Sequence, residues 1–423
     1  MKTVRSHWIA EVPSGWRIDT PRFAFSVRGD RAKPGMEQMT ASQQYGVIPQ
    51  SEYIKKTGSH VVVVEKDFSI LKAVYPGDFV IHMRSFQGGL ELSEVKGCTS
   101  SAYVMLIPGP QIHSARYYRW VFKCDGYINE LQSTSNLVRD GQAMRWANFI
   151  QVPIPFPPPE VQDSIAQYLD RETERIEELR DSIRAQIDAL EAYRSSLISQ
   201  AVYRGINDSV DLTDSGIEWV GKVPSHWQVS PIRTLFAEVK QKNVSLETST
   251  ALQFKMGRIV RKANFDPSVD SEVERMMRGY TLVSEGDIII NGLNLNYDFV
   301  TQRVAKVVDS GAITSAYLAI RPKGLLIDST FATYCFKAWD AAKAFHNIGE
   351  GVRKILNYNL LKRLPIAFPE IDEQLRICSF LDSRLAEIDD VVLKKERQLA
   401  VLDSFKSSLI YEMVTGKREV PVR

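Results

Sequence analysis

Leu169-Asp170-Arg171-Glu172-Thr173-Glu174-Arg175-Ile176 begins a run in which Leu169, Ile176, Ile183, Leu190 and Leu197 recur at a spacing of seven. Ile165, Leu179, Ile187 and Ala201 fall between them, and neither Pro nor Gly interrupts the run. A heptad pattern held this long predicts a coiled-coil helix. It starts after the block Pro153–Pro159, because proline cannot occupy a helix interior. About 44 residues at 1.5 Å each give a helix of ~66 Å, longer than a domain of ~150 residues is wide. The alternative is an amphipathic helix packed on its own domain; at this length a partner helix is the better solution for its apolar stripe.

The chain supplies one. Leu381, Ile388, Lys395, Leu402 and Leu409 repeat the spacing, with Ile377, Val391, Leu399 and Met413 between, after a second proline tract, Pro365–Pro369. Lys395 stands where Ile183 stands in the first copy, a defect that either snorkels or marks a surface for another subunit. Two matched helices related by an approximate two-fold run antiparallel, with one globular domain expected at each end.

The rest of the chain repeats as well. Trp8-Ile9-Ala10-Glu11-Val12-Pro13-Ser14-Gly15-Trp16 matches Trp219-Val220-Gly221-Lys222-Val223-Pro224-Ser225-His226-Trp227 at an offset of 211. Gly77-Asp78 matches Gly286-Asp287 at 209, and Ser101-Ala102-Tyr103 matches Ser315-Ala316-Tyr317 at 214. Val152–Pro157 matches Leu364–Pro369, Leu169-Asp170 matches Leu381-Asp382, and Ser195–Ile198 matches Ser407–Ile410, each at 212. Six collinear matches exclude coincidence. The expected fold class is α+β (mixed α/β): two globular domains in tandem, each followed by a long helix, the helices forming an antiparallel coiled coil. The boundaries read 1–158, 159–205, 206–370 and 371–423.

Within the globular parts, short β-like runs are expected at His60–Val64, Asp78–Met83, Ala102–Ile107, Asp287–Asn291, Arg303–Val308 and Ala316–Arg321. The matched Gly-Asp pairs read as turns that lead into strands. The 423 residues are 44% hydrophobic and 25% charged, which fits globular domains and excludes global disorder. The net charge of +2 conceals an alternation. Residues 1–159 carry +5, 160–205 carry −4, 206–369 carry +3 and 370–423 carry −2. A polyanionic partner is expected to meet the first and third segments.

Catalytic chemistry is poorly served. Cys98, Cys124, Cys335 and Cys378 lack zinc or disulfide spacing, and no metal site is expected. Free cysteines fit a reducing cytoplasm. The N-terminus has no apolar leader, no run is long enough to span a membrane, and a cytoplasmic location is expected. Phe156-Pro157-Pro158-Pro159-Glu160 lacks the leading Asn or Asp and the trailing aromatic of a DNA methyltransferase motif. No Walker A loop is present, and Gly349-Glu350-Gly351-Val352-Arg353-Lys354 is only loosely Gly-rich. Asp78 with Glu94-Val95-Lys96 imitates a metal-dependent nuclease. The second repeat offers Arg303-Val304-Ala305-Lys306 there, so Asp78 reads better as a turn residue. His82 reads as structural, and no catalytic set is assembled.

Polar recognition chemistry remains. Arg matches guanine edges, Asn and Gln match adenine edges, and cations hold phosphates. The candidate DNA-contacting residues are Arg84, Ser85, Gln87, Arg116, Arg119 and Arg145 in the first repeat. In the second they are Lys255, Arg258, Asn291, Asn294, Asn296, Arg353 and Lys354.

These features together resemble the specificity (S) subunit of type I restriction–modification systems. The resemblance is carried by Asp214–Trp227, by Leu364–Gln374 with its following heptads, by Val414-Thr415-Gly416-Lys417 and by Gly351–Leu356. It covers essentially the whole chain. Val161-Gln162 departs from the Glu-Gln found at Glu373-Gln374, and the first Trp motif lacks most of the leader before Trp219.

The resemblance implies a chain without catalytic activity, whose two target-recognition domains each read half of a split DNA site. The helices would set the spacer between half-sites and recruit two methylation (M) subunits. S-adenosylmethionine would be bound by those subunits, ATP and Mg by two restriction (R) subunits, and no cofactor by this chain. Two other readings stay open: an autonomous metal-dependent nuclease, and a coiled-coil scaffold without DNA binding.

Overall fold

A computed structural model describes residues 6–421, apart from 60–63, 65–67, 83–84, 135–143, 256, 264, 266–267, 269, 298 and 300–301. Four residues of the expected strand at His60–Val64, and Met83 at the end of another, fall outside the described residues.

The chain divides into two compact units that do not follow its linear order. Unit 1 is Met1–Ile183 with Glu396–Arg423, and unit 2 is Arg184–Lys395. The division cuts both long helices, Pro159–Arg204 and Ile371–Val414. Each globular part therefore packs on the first half of its own helix and the last half of the other.

Unit 1 contains β1 (Phe25–Val27), β2 (Met39–Ser42), β3 (Gly46–Pro49), β4 (Lys72–Val74), β5 (Phe79–Ile81), β6 (Glu91–Leu92), β7 (Gly97–Thr99) and β8 (Val104–Pro108). One antiparallel sheet has the order β1-β8-β5-β6. The hairpin β2-β3 and the pair β4-β7 meet through a parallel bridge between Gln38 and Cys98.

Unit 2 repeats this with β9 (Phe236–Glu238), β10 (Ala251–Lys255), β11 (Arg258–Arg261), β12 (Thr281–Val283), β13 (Ile288–Ile290), β14 (Val304–Lys306), β15 (Gly311–Ile313) and β16 (Leu318–Pro322). Its sheets run β9-β16-β13-β14 and β11-β10-β15-β12. The five other expected runs are thus strands, shortened where turn residues such as Asp78, Asp287 and Ala102 precede the ladder.

Each core is assembled on the helix ends. In unit 1, Phe25, Phe79, Tyr118, Phe122 and Phe149 pack at ring separations of 5.0–6.2 Å. Leu409, Ile410, Met413 and Val414 join the same cluster, and the Tyr117 hydroxyl donates to the Val414 carbonyl at 2.7 Å. In unit 2, Ile198, Ala201 and Val202 join Trp227, Phe331, Phe336 and Trp339. Burying such side chains stabilises each by ~1.5–3 kcal/mol, so each globular part is anchored to a helix end from the other repeat.

The seam follows the heptad with a gradient. Leu169, Ile176, Leu381, Ile388 and Leu409 are buried, whereas Ile183, Leu190, Leu197 and Leu402 are half-buried. Within unit 1 the helix segments run antiparallel, joined by Lys406–Glu177 at 2.6 Å and Arg180–Asp403 at 3.0 Å. Within unit 2, Arg194 pairs with Asp389, and Lys395 donates to Gln186 at 2.5 Å. Lys395 thus reaches sideways to an amide. Leu179 and Val391 are corrections to the expected stripe: both are exposed, since ion pairs and the Lys395 amide contact join the helices there.

Candidate nucleic-acid interface

The repeated polar matches turn out to be staples. Gln162 accepts the Ser114 N–H at 3.0 Å and donates to the Pro157 carbonyl at 3.0 Å. Its counterpart Gln374 accepts the Asp328 N–H at 2.8 Å and donates to the Pro369 and Leu326 carbonyls. Asp170 accepts the Trp120 indole N–H at 2.8 Å, and Asp382 accepts the Tyr334 hydroxyl at 2.5 Å. These bonds lock each globular part to the start of its own long helix. The departure at Val161 leaves this staple intact and removes two further contacts: in unit 2, Glu373 accepts from Trp227 at 3.1 Å and meets His226 at 2.8 Å.

Asp78 is likewise engaged. It accepts the Tyr75 N–H and pairs with Arg28 at 2.7 Å. Asp287 accepts the Ser284 N–H and pairs with Arg321 at 2.7 Å. The carboxylate keeps its place in both repeats, while the guanidinium comes from the residue after β1 in one and from β16 in the other.

Among the first-repeat candidates, Arg116 and Arg119 both turn onto Asp170. Their guanidiniums close the joint between the helix Ala115–Lys123 and the long helix. Ser85 is buried and accepts the His82 N–H at 2.9 Å. Gln87 and Arg145 are exposed, Arg145 ahead of a short helical turn whose Asn148 accepts its N–H. Arg84 lies outside the described residues.

The second-repeat candidates gather at two places. Lys255 and Arg258 face each other across the tip of the β10-β11 hairpin, and both are exposed. The turn runs through Gly257 at φ +69°, matched by Gly46 at φ +68° in the β2-β3 hairpin. The other place joins two loops. Leu295 N–H donates to the Lys354 carbonyl, Leu356 N–H to the Gly292 carbonyl, and Asn296 Nδ2 to the Val352 carbonyl at 2.8 Å. A Cβ at Gly292 would stand 2.5 Å from the Leu356 oxygen, so the backbones can close up only on glycine. The buried Arg303 supports the arrangement from below, donating to the Asn291 and Leu293 carbonyls.

The roles in this cluster divide. Asn291 accepts the Leu293 N–H, Asn296 bridges the loops, and Lys354 donates to the His346 carbonyl at 3.1 Å. Asn294, in a left-handed conformation, and Arg353 stand exposed beside them. Residue-level reading missed Val352, 90% exposed, and Tyr297, 73% exposed, on the same joined loops. It also missed the Gln43-Gln44-Tyr45 tip of β2-β3. The matched hairpin glycines were the available signal for that tip. A solvent-facing aromatic and cation beside adaptable amides can stack on and hydrogen-bond to nucleic-acid groups.

No protein-family model matches the chain. In structure, it is similar to a chain of the type I R-M system from work on the structural basis underlying its complex assembly and conformational transition. That match has 13% identity and a TM-score of 0.70, and covers 96% of this chain and 100% of the other. It is also similar to the HsdS subunit from Thermoanaerobacter tengcongensis, with 14% identity, a TM-score of 0.49, and coverage of 96% and 98%. The resemblance read from the sequence extends, through the first of these, to the fold over nearly the full length.

Proposed function

We propose that this chain is the non-catalytic specificity subunit of a type I restriction–modification complex. Each globular unit reads one half of a bipartite double-stranded DNA site, and the long helices set the spacer and dock methylation subunits. Methylation from S-adenosylmethionine and ATP-driven cleavage belong to partner subunits. The observation that carries this reading is the duplicated scaffold with unlike tips. Sheets, staples and helix joints recur in the two units, whereas the exposed tips do not: Gln43-Gln44-Tyr45 in one, Lys255 and Arg258 in the other. Two unlike readers on one scaffold suit an asymmetric split site. The exposed residues proposed as readers are Gln87 and Arg145 in unit 1 and Lys255, Arg258, Asn294 and Arg353 in unit 2.

The nuclease reading loses support from the pairing of Asp78 with Arg28. The deciding experiment is a genome-wide map of N6-methyladenine in cells carrying the chain with its methylation subunit, against cells lacking the chain. The expected result is a new motif of two short half-sites around a fixed spacer. A stable complex that adds no methylation would sink the reading as an active specificity subunit.

A further inference from the structure

Lys123 and Lys337 hold the same place in the two repeats, three residues beyond the matched Trp120 and Tyr334. In unit 1 the Lys123 ammonium pairs with Glu91 of β6 and donates to the Gly88 carbonyl at 3.0 Å. Glu91 lies opposite Val80 of β5. In unit 2 the corresponding position, opposite Ile289 of β13, is Ala305. The internal anion is therefore missing. Among the described residues no carboxylate pairs with the Lys337 ammonium, which lies 6.0 Å from the centre of the Tyr334 ring.

Lys337 lines a cavity of about 570 Å³ together with Arg194, Gly257, Arg258 and Tyr334. The carboxylates on its wall have other partners. Glu191 and Asp389 pair with Arg194, Asp382 accepts from Tyr334, and Asp340 accepts the Arg303 N–H at 2.8 Å. Burial, and then the charges of Arg194 and Arg258, push the Lys337 ammonium below the ordinary lysine pKa and outweigh the opposing pull of Asp382. Arg258 sits at the cavity mouth on the hairpin tip. Lys255 lies directly across the turn from Arg258, whereas Arg261 falls on the other face of the strand and pairs with Asp309 at 3.7 Å. Lys337 and Arg258 in the cavity, with Lys255 exposed on the tip beside them, suit a polyanion better than a single acidic side chain.

We infer that Lys337 and Arg258 form a phosphate-binding site, which takes a DNA backbone phosphate at the position Glu91 fills in the first unit. The DNA source rests on the proposed function; the anion site does not.

Two measurements on the full-length chain separate these. The first is a titration with inorganic phosphate followed by ³¹P NMR. The wild type and Lys123→Met should bind phosphate, and Lys337→Met should lose most of that binding. Ala305→Glu, which restores the internal carboxylate, should lose it too. Phosphate binding by Lys337→Met equal to wild type, or none by the wild type, overturns the site.

The second is the salt dependence of binding to a mixed-sequence DNA duplex. Lys337→Met should lower the slope of log K against log salt by about 0.9, the share of one phosphate contact, and Lys123→Met should leave it unchanged. An unchanged slope in Lys337→Met, with phosphate binding lost, overturns DNA as the source and points to an acidic partner side chain. DNA binding absent from every form at low salt overturns the DNA-recognition reading, while the phosphate titration still decides the site.

Discussion

Nζ of Lys406 lies 2.6 Å from Oε1 of Glu177, tying the last part of the second long helix to the first part of the first. Shifted by the repeat of 212 residues, the same pair becomes Arg194 with Asp389, again cation on the helix end and carboxylate on the helix start. The register of the helix pair is thus written twice, once in each unit.

That pair makes stability sensitive to acid. Burial opposes ionisation of Glu177, but hydrogen bonds from Lys406 and Arg180 outweigh it and hold the carboxyl below its ordinary pKa. A depressed folded-state pKa contributes stability that is present above the unfolded value, ~4.3, and is lost as pH falls through the folded value. Thermal unfolding of Glu177→Gln should lose less stability than wild type between pH 5 and the folded-state value. Parallel pH profiles would remove Glu177 from the account.

Gln374 is fully buried with three hydrogen bonds, and Gln162 is nearly so with two. Gln374→Ala strands an N–H and two carbonyls and should cost about 3 kcal/mol or more in urea unfolding, at about 1–3 kcal/mol per buried group left unsatisfied. Gln162→Ala should cost less. Equal, negligible losses would show that water replaces the amide in both units.

Asp170 gathers Arg116, Arg119 and Trp120. Asp170→Ala should destabilise the protein by about 1 kcal/mol, through the half-buried indole donor and guanidiniums it releases. Arg116→Ala should lower stability slightly and leave the methylated motif unchanged. A change in one half-site in that variant would return Arg116 to the reading surface.

Arg353 and Asn294 stand exposed on the joined loops of unit 2. Arg353→Ala should weaken binding by about 1–3 kcal/mol if it meets a base edge, and relax one half of the methylated motif alone. Methylation maps of the variant decide this, and relaxation of both halves would contradict independent reading by the two units.

Much of this was legible in the chain because it depends on periodicity and repetition. The heptads placed both helices, the proline tracts placed their starts, and the matched Gly-Asp pairs placed the turns before β5 and β13. Polar residues were harder. Arg116 and Asn294 are both polar residues beside strands or turns in the sequence, yet one guanidinium lies on Asp170 and the other side chain faces solvent. Local sequence carries no record of the carboxylate or carbonyl that the fold delivers from fifty residues away.

The sequence by itself determined that there are two copies, each a mixed sheet domain followed by a long helix, because hydrophobic spacing is a local property. Only the tertiary structure decided that each unit is completed by the other repeat's helix end, since Val414 reaches Tyr117 and Ile198 reaches the Trp227 cluster across hundreds or tens of residues. It also decided which cations are spent on internal acceptors and which face outward. A side chain's partner is set by the packing of distant backbone, and that packing exists only once the chain has folded.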